Sequence, residues 1–225
     1  MPPLPSLAVL ARRRLLLGVI AIASGLSVAG CATGPRPTLQ KVDASADLGG
    51  APGTPSGDAG ADGVLGLLEG TANAQFTATY HITRKLGPQE TDATVVQDGT
   101  SRSITVGDVR FLHTSKDVTC TVSTAACEPG TLDARISDYS VGSAFWSGGP
   151  ARALRVAMTR RSGPPVASTQ KVAGQSAQCV DVPVGSGVEH YCATALGPVA
   201  RWDTAAVAVV LTGLSDTPDA AAFKN

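Results

Sequence analysis

From Phe76 to Thr83 the chain alternates strictly: Phe76, Ala78, Tyr80 and Ile82 are apolar, and Thr77, Thr79, His81 and Thr83 are polar. A period of two puts one set on each face of an extended strand, so this stretch predicts a strand with one face buried and the other wet. Such a strand needs partners, and the sequence offers them at short intervals. Ala93 to Gln97 ends at Asp98-Gly99, Ser103 to Val106 ends at Gly107-Asp108, and Val109 to Thr114 and Val118 to Val122 follow before a Cys127-Glu128-Pro129-Gly130 corner. After residue 165 the pattern returns in Val166–Val172, Ala177–Val182, Val188–Ala195, Val199–Trp202 and Ala205–Leu211, separated by Gly174, Gly185, Gly197-Pro198 and Asp203. Short strands joined by turn pairs predict sequential antiparallel hairpins.

Two stretches carry the longer helical period. Val64, Leu65, Leu67 and Leu68 follow Asp58 and Asp62 and predict a short helix, weakened by Gly63, Gly66 and Gly70. Further on, Phe145 and Trp146 form the heaviest apolar pair, flanked by Gly142 and by Gly148-Gly149-Pro150. Pro150 suits a first helical turn. Leu154, Ala157, Met158 and Arg161 then fall at helical spacing, with Arg152 and Arg155 on another side, until Gly163-Pro164-Pro165 ends the run. Leu132 to Tyr139 fits either period. The expected class is α+β: one large antiparallel sheet with helices packed on one face.

The N-terminus reads as an address. Arg12, Arg13 and Arg14 precede an uncharged stretch from Leu15 to Gly30, the basic and apolar regions of a secretory signal. That run falls short of the roughly 20 residues a membrane-crossing helix needs. It ends in Leu26-Ser27-Val28-Ala29-Gly30-Cys31, which resembles the bacterial lipobox. Residues 1–30 are therefore expected to be a lipoprotein signal peptide and Cys31 the acylated residue, anchoring the chain to the outer face of a cell membrane. Residues 31–63, rich in Gly, Pro, Ala, Ser and Asp, read as a flexible tether with a reach of roughly 30 Å. Residues 64–225 are enough for one domain.

The chain has 18 basic and 18 acidic residues, and losing the leader with its three arginines leaves 15 against 18. That balance gives no electrostatic reason to bind nucleic acid. The Arg160-Arg161 pair reads as a solvated face. With Cys31 assigned to lipid, four cysteines remain, an even number that favours disulfides outside the cell. Of the three pairings, hairpin geometry favours one. Cys179 and Cys192 are symmetric about Gly185-Ser186, and Cys120 and Cys127 about Ser123-Thr124.

Catalytic signatures are missing where they would be sought. Gly174-Gln175-Ser176-Ala177-Gln178 lacks the final glycine of a nucleophile elbow. Ser168-Thr169-Gln170-Lys171 matches Ser-x-x-Lys, but a strand would point Ser168 and Lys171 to opposite faces. His190 shares a strand face with Cys192 but has no evident set of four metal ligands, and His81 and His113 stand without a nucleophile. No enzyme activity, cofactor or metal is expected.

The order of these features resembles the actinobacterial lipoproteins of the LppX/LprG type, which share a fold with the carrier LolA. The likeness rests on the lipobox and tether, a short helix before the aromatic strand Phe76-Thr77-Ala78-Thr79-Tyr80, and the turn Asp98-Gly99-Thr100-Ser101-Arg102. A central helical insert and the hairpin residues Gly174, Cys179, Tyr191, Cys192 and Gly197 complete it. The resemblance implies a curved half-barrel sheet with helices across its concave face and an apolar cavity between them. Phe76, Tyr80 and Ile82 would line that cavity from the sheet, and Phe145, Trp146, Leu154 and Met158 from the other wall. The expected function is binding or carrying a lipid or other hydrophobic ligand at the membrane. The alternative is an interaction module of the MucB/RseB type, in which the same residues form a filled core and the partner is an envelope protein.

Overall fold

A computed structural model describes residues 51–224. The leader, Cys31 and most of the expected tether lie outside the described residues. Eleven strands form one open antiparallel sheet in the order β6-β5-β4-β3-β2-β1-β11-β10-β9-β8-β7. They are β1 (Gln75–Arg84), β2 (Gln89–Asp98), β3 (Ser101–Val106), β4 (Val109–His113), β5 (Asp117–Thr121) and β6 (Ala126–Pro129), then β7 (Val166–Val172), β8 (Gln175–Val184), β9 (Gly187–Thr194), β10 (Val199–Asp203) and β11 (Val207–Ser215). Each run of strands is a simple meander, and the two runs meet where β1 pairs with β11. The chain therefore leaves the sheet at one edge, β6, and re-enters at the other, β7. The segment between them crosses the concave face of the curved sheet. It contains 3-10 turns at Asp133–Tyr139 and Ser143–Ser147 and the helix α2 (Gly149–Arg160). The other helix, α1 (Ala59–Glu69), packs beside α2 over β7, β8 and β9.

The alternation in β1 sets the core. Phe76, Ala78, Tyr80 and Ile82 are all buried. Register carries the same face across the sheet: Ala78 lies opposite Val95, Val95 opposite Ile104 and Ile104 opposite Phe111. On the other side Tyr80 meets Leu211 and Ile82 meets Val209. The opposite face is dressed by the C-terminal tail, where Thr77 Oγ1 donates to the Thr217 carbonyl at 2.9 Å and the turn Ala220–Phe223 lies against β3.

Both disulfides join the strand pairs that turn symmetry indicated. Cys179–Cys192 lies across β8–β9 and Cys120–Cys127 across β5–β6. The first is buried, whereas Cys127 is exposed. Closing these loops of about 14 and 8 residues contributes roughly 2–3 kcal/mol each in the chain-entropy model.

Three details differ from the sequence reading. The helix begins at Ala59 rather than Val64, with the Asp58 carboxylate capping it by accepting from the Ala61 N–H at 2.9 Å. Residues 59–63, read as tether, are therefore helical. Their glycines serve close approach: a Cβ on Gly60 would lie 2.5 Å from the Ala167 Cβ, and one on Gly63 would lie 3.0 Å from Gln178 Oε1. Second, the corner at Cys127–Gly130 is largely a strand, β6, because Cys127 pairs directly with Cys120. Third, Arg155 does not join Arg152 on an exposed side and Arg161 does not join the buried one. Arg155 is buried beneath α2, and Arg161 is exposed just beyond its end.

Candidate functional site

The residues expected to line a cavity come together, but they nearly fill it. Phe76 and Tyr80 rise from β1 to meet Phe145 and Trp146, which sit on the 3-10 turn Ser143–Ser147. The Tyr80 and Trp146 rings are 4.7 Å apart, and Phe145 meets Trp146 edge-on at 4.8 Å, distances typical of packed aromatic pairs. With Leu68 and Val95 these four residues surround a void of about 30 Å³. That is room for about one water molecule. Ile82, Leu154 and Met158 are buried elsewhere in the same core and do not line the void. Burial of Tyr80 pushes its phenol well above the ordinary range. The Trp146 indole N–H is buried without a hydrogen-bond partner among the described residues.

A larger space lies on the far side of Phe145. It is an open cleft of about 460 Å³ between α2 and strands β9 to β11. From α2 it receives Arg152, Ala153, Val156 and Arg160, and from the sheet Tyr191, Trp202 and Val207. Arg152, Val156 and Arg160 are spaced i, i+4, i+8 and form one row along the helix. Tyr191 and Trp202 are register partners on β9 and β10. Phe145 supports the floor from behind, with its ring 4.7 Å from that of Trp202. An aromatic chain thus runs Tyr80, Trp146, Phe145, Trp202, from packed interior to open cleft.

The cleft's charges are unevenly matched. Among the described residues Glu189 is the one carboxylate in its wall. It accepts a hydrogen bond from the Tyr191 hydroxyl at 2.5 Å. Burial, then this bond and the negative charge of Glu189, raise the Tyr191 pKa far above that of a free phenol, while Arg160 pulls it the other way. Tyr191 is therefore a neutral donor at any physiological pH.

Two polar clusters hold the walls in place. Arg155 donates to Glu69 Oε1 from Nε at 3.0 Å and from Nη2 at 2.5 Å, and to the Thr54 carbonyl at 2.5 Å. Glu69 Oε2 accepts from the Gly53 N–H at 3.0 Å. This buried pair ties α2 to α1 and to the segment leading into it. At the opposite rim Lys85 Nζ bonds Asp203 at 2.5 Å and the Thr204 carbonyl at 2.7 Å, and Arg201 bonds Asp203 at 2.6 Å. Burial alone would raise the Asp203 pKa, but these two cations and their hydrogen bonds outweigh it and hold the pKa below the usual carboxylate value. Their stabilisation is present above the unfolded value of about 3.9 and is lost as pH falls through the folded one.

The histidines are each paired with an aspartate on the sheet: His81 with Asp92 at 2.9 Å, His113 with Asp117 at 3.0 Å and His190 with Asp181 at 2.7 Å. Among the described residues no three His, Cys, Asp or Glu side chains converge to hold a metal. Ser168 and Lys171 lie three apart on the edge strand β7 and so on opposite faces. Among the described residues no helix is long and apolar enough to cross a membrane.

No protein-family model matches this chain, and no curated protein matches it. Among solved structures it is similar to MucB, with 12% identity and a TM-score of 0.45 over 75% of this chain and 64% of MucB. It is also similar to MucB in the MucA/MucB complex of Pseudomonas aeruginosa, with 11% identity and a TM-score of 0.44 over 74% of this chain and 61% of that one. A third likeness is to LprF from Mycobacterium bovis, with 13% identity and a TM-score of 0.36 over 67% of this chain and 90% of LprF. The chain spans less than two thirds of the MucB chains.

Proposed function

We propose that this protein is a lipid-anchored extracytoplasmic module that binds a hydrophobic ligand in the open cleft beside α2. The observation that carries the reading is the contrast between the two spaces. The void among Phe76, Tyr80, Phe145 and Trp146 is about 30 Å³, and the cleft over Tyr191 and Trp202 is about 460 Å³. Small-molecule sites run from roughly 300 to 1,000 Å³, are mostly apolar and carry a few directed polar groups. The cleft meets each of these conditions. The seven residues read from the sequence as a ligand wall act in this account as the packed support beneath the site.

A neutral apolar dye such as N-phenyl-1-naphthylamine tests this on the full chain. Val156→Trp fills the middle of the cleft and should weaken dye binding at least about tenfold, the effect of losing roughly 1.4 kcal/mol, with the melting temperature unchanged. Trp146→Phe should leave the affinity within about twofold. The reverse pattern places the ligand in the interior.

The anchor is part of the same proposal. Intact-mass measurement of the native product should show a diglyceride adduct on a chain beginning at Cys31. An unmodified thiol there removes the membrane from the reading. A second reading, a protein partner docked on a module with a filled core, is favoured by the small interior void. Crosslinking in membranes separates the two: a stoichiometric protein adduct unaffected by Val156→Trp supports the partner.

A further inference from the structure

We propose that the cleft selects an amphiphile with one anionic headgroup, held at the Arg152 end, with its apolar body laid over Val156, Trp202 and Val207. The inference rests on the cleft being the ligand site and adds the chemistry of the ligand. Arg152 and Arg160 stand at the two ends of one helical row, about 12 Å apart along the axis at 1.5 Å per residue. At the Arg160 end Glu189 supplies a carboxylate to the wall, and both residues act on Tyr191. At the Arg152 end the described lining holds no carboxylate. Arg152 is exposed, its side chain makes no hydrogen bond or ion pair with the described residues, and no acidic residue occupies the first turn of α2. The hydroxyl-bearing Ser140 also lines the cleft and can donate or accept, whereas the Thr204 hydroxyl beside it is engaged with the Ala206 and Val207 backbone.

The lining between these charges is chiefly apolar: Ala153, Val156, Trp202, Ala206 and Val207. A fully polar anion would leave that surface wet, and a neutral hydrocarbon would leave Arg152 unanswered. A single-chain acid satisfies both. The Tyr191–Glu189 pair sets the other limit, since a second anionic group at that end would meet the Glu189 carboxylate. The headgroup chemistry is shared by carboxylates and phosphate monoesters, and the guanidinium fork donates to either.

The test is titration of the full chain, followed by tryptophan fluorescence, with decanoate, decyl phosphate and decanol at one pH and ionic strength. At least one of the two anions should bind about tenfold more tightly than decanol, the increment expected of a charge-assisted hydrogen bond. Arg152→Gln should reduce that ratio to about one, and Arg160→Gln should preserve most of it. If decanoate exceeds decyl phosphate the headgroup is a carboxylate, and the opposite order makes it a phosphate. Equal binding of all three ligands overturns the headgroup inference and leaves the ligand site standing. No binding of any of them overturns both. Loss of the anion preference in Arg160→Gln but not in Arg152→Gln overturns the assignment of the headgroup end. Binding of an acidic peptide with none of these amphiphiles makes the occupant a protein.

Discussion

Trp146→Ala is expected to lower the free energy of unfolding by about 3–5 kcal/mol, the range for deleting a large aromatic side chain from a packed core. Trp146 is only 9% exposed and packs against Tyr80 and Phe145 at 4.7 and 4.8 Å. Almost no free space adjoins it, so its removal leaves a cavity the neighbours can close only in part. Urea denaturation read by circular dichroism gives the number. A loss under about 1 kcal/mol would mean that Trp146 is a movable lid over a space the protein normally fills with something else. That outcome would return the ligand to the interior. The prediction thus measures function as well as stability, because a site beneath Trp146 and a core beneath Trp146 differ in what alanine costs.

Arg155→Ala is expected to cost about 3–4 kcal/mol, near the lower end of what is lost when one partner of a buried ion pair is removed. The arginine is 6% exposed and Glu69 22%, so Glu69 keeps a little water and the Gly53 N–H as compensation. The Thr54 carbonyl also loses its donor. The double variant Arg155→Ala with Glu69→Ala should recover part of the loss, since neither charge is then left alone. Additive effects in that cycle would show that the two side chains are not coupled. The pair has a further consequence for the cleft. Arg155 fixes the helix whose adjoining face carries Arg152, Val156 and Arg160, so ligand affinity should weaken together with stability.

Much of the sheet was legible because its contacts are local. Every strand from β1 to β5 pairs with its successor, as does every strand from β7 to β10. Turn pairs such as Asp98-Gly99 mark those hairpins. The disulfides followed from the same locality, since two cysteines symmetric about a turn must face each other. The pairing of β1 with β11 was not legible in this way, because it joins residues more than 120 positions apart and leaves no local trace.

The helix start was missed for a definable reason. Gly60 and Gly63 lower helix propensity, but Gly60 approaches β7 so closely that a side chain would collide with Ala167, and a Cβ on Gly63 would press on the Gln178 side chain of β8. Arg155 was misplaced because a buried arginine looks like a surface one until its carboxylate is known, and Glu69 lies 86 residues away. The cleft depends on three distant segments, around Ser140, along α2 and from Glu189 to Val207. Only the row Arg152, Val156, Arg160 was available in the sequence, and by itself it reads as a solvated helix face.

The most direct measurement is photo-crosslinking with a decanoate analogue that carries a diazirine near the end of its chain, followed by peptide mapping. Adducts on Val156, Trp202 or the Thr204–Val207 segment are the result expected here. Adducts confined to Phe76, Tyr80 and Val95 would contradict the account, because the ligand would then occupy the space assigned to packed core.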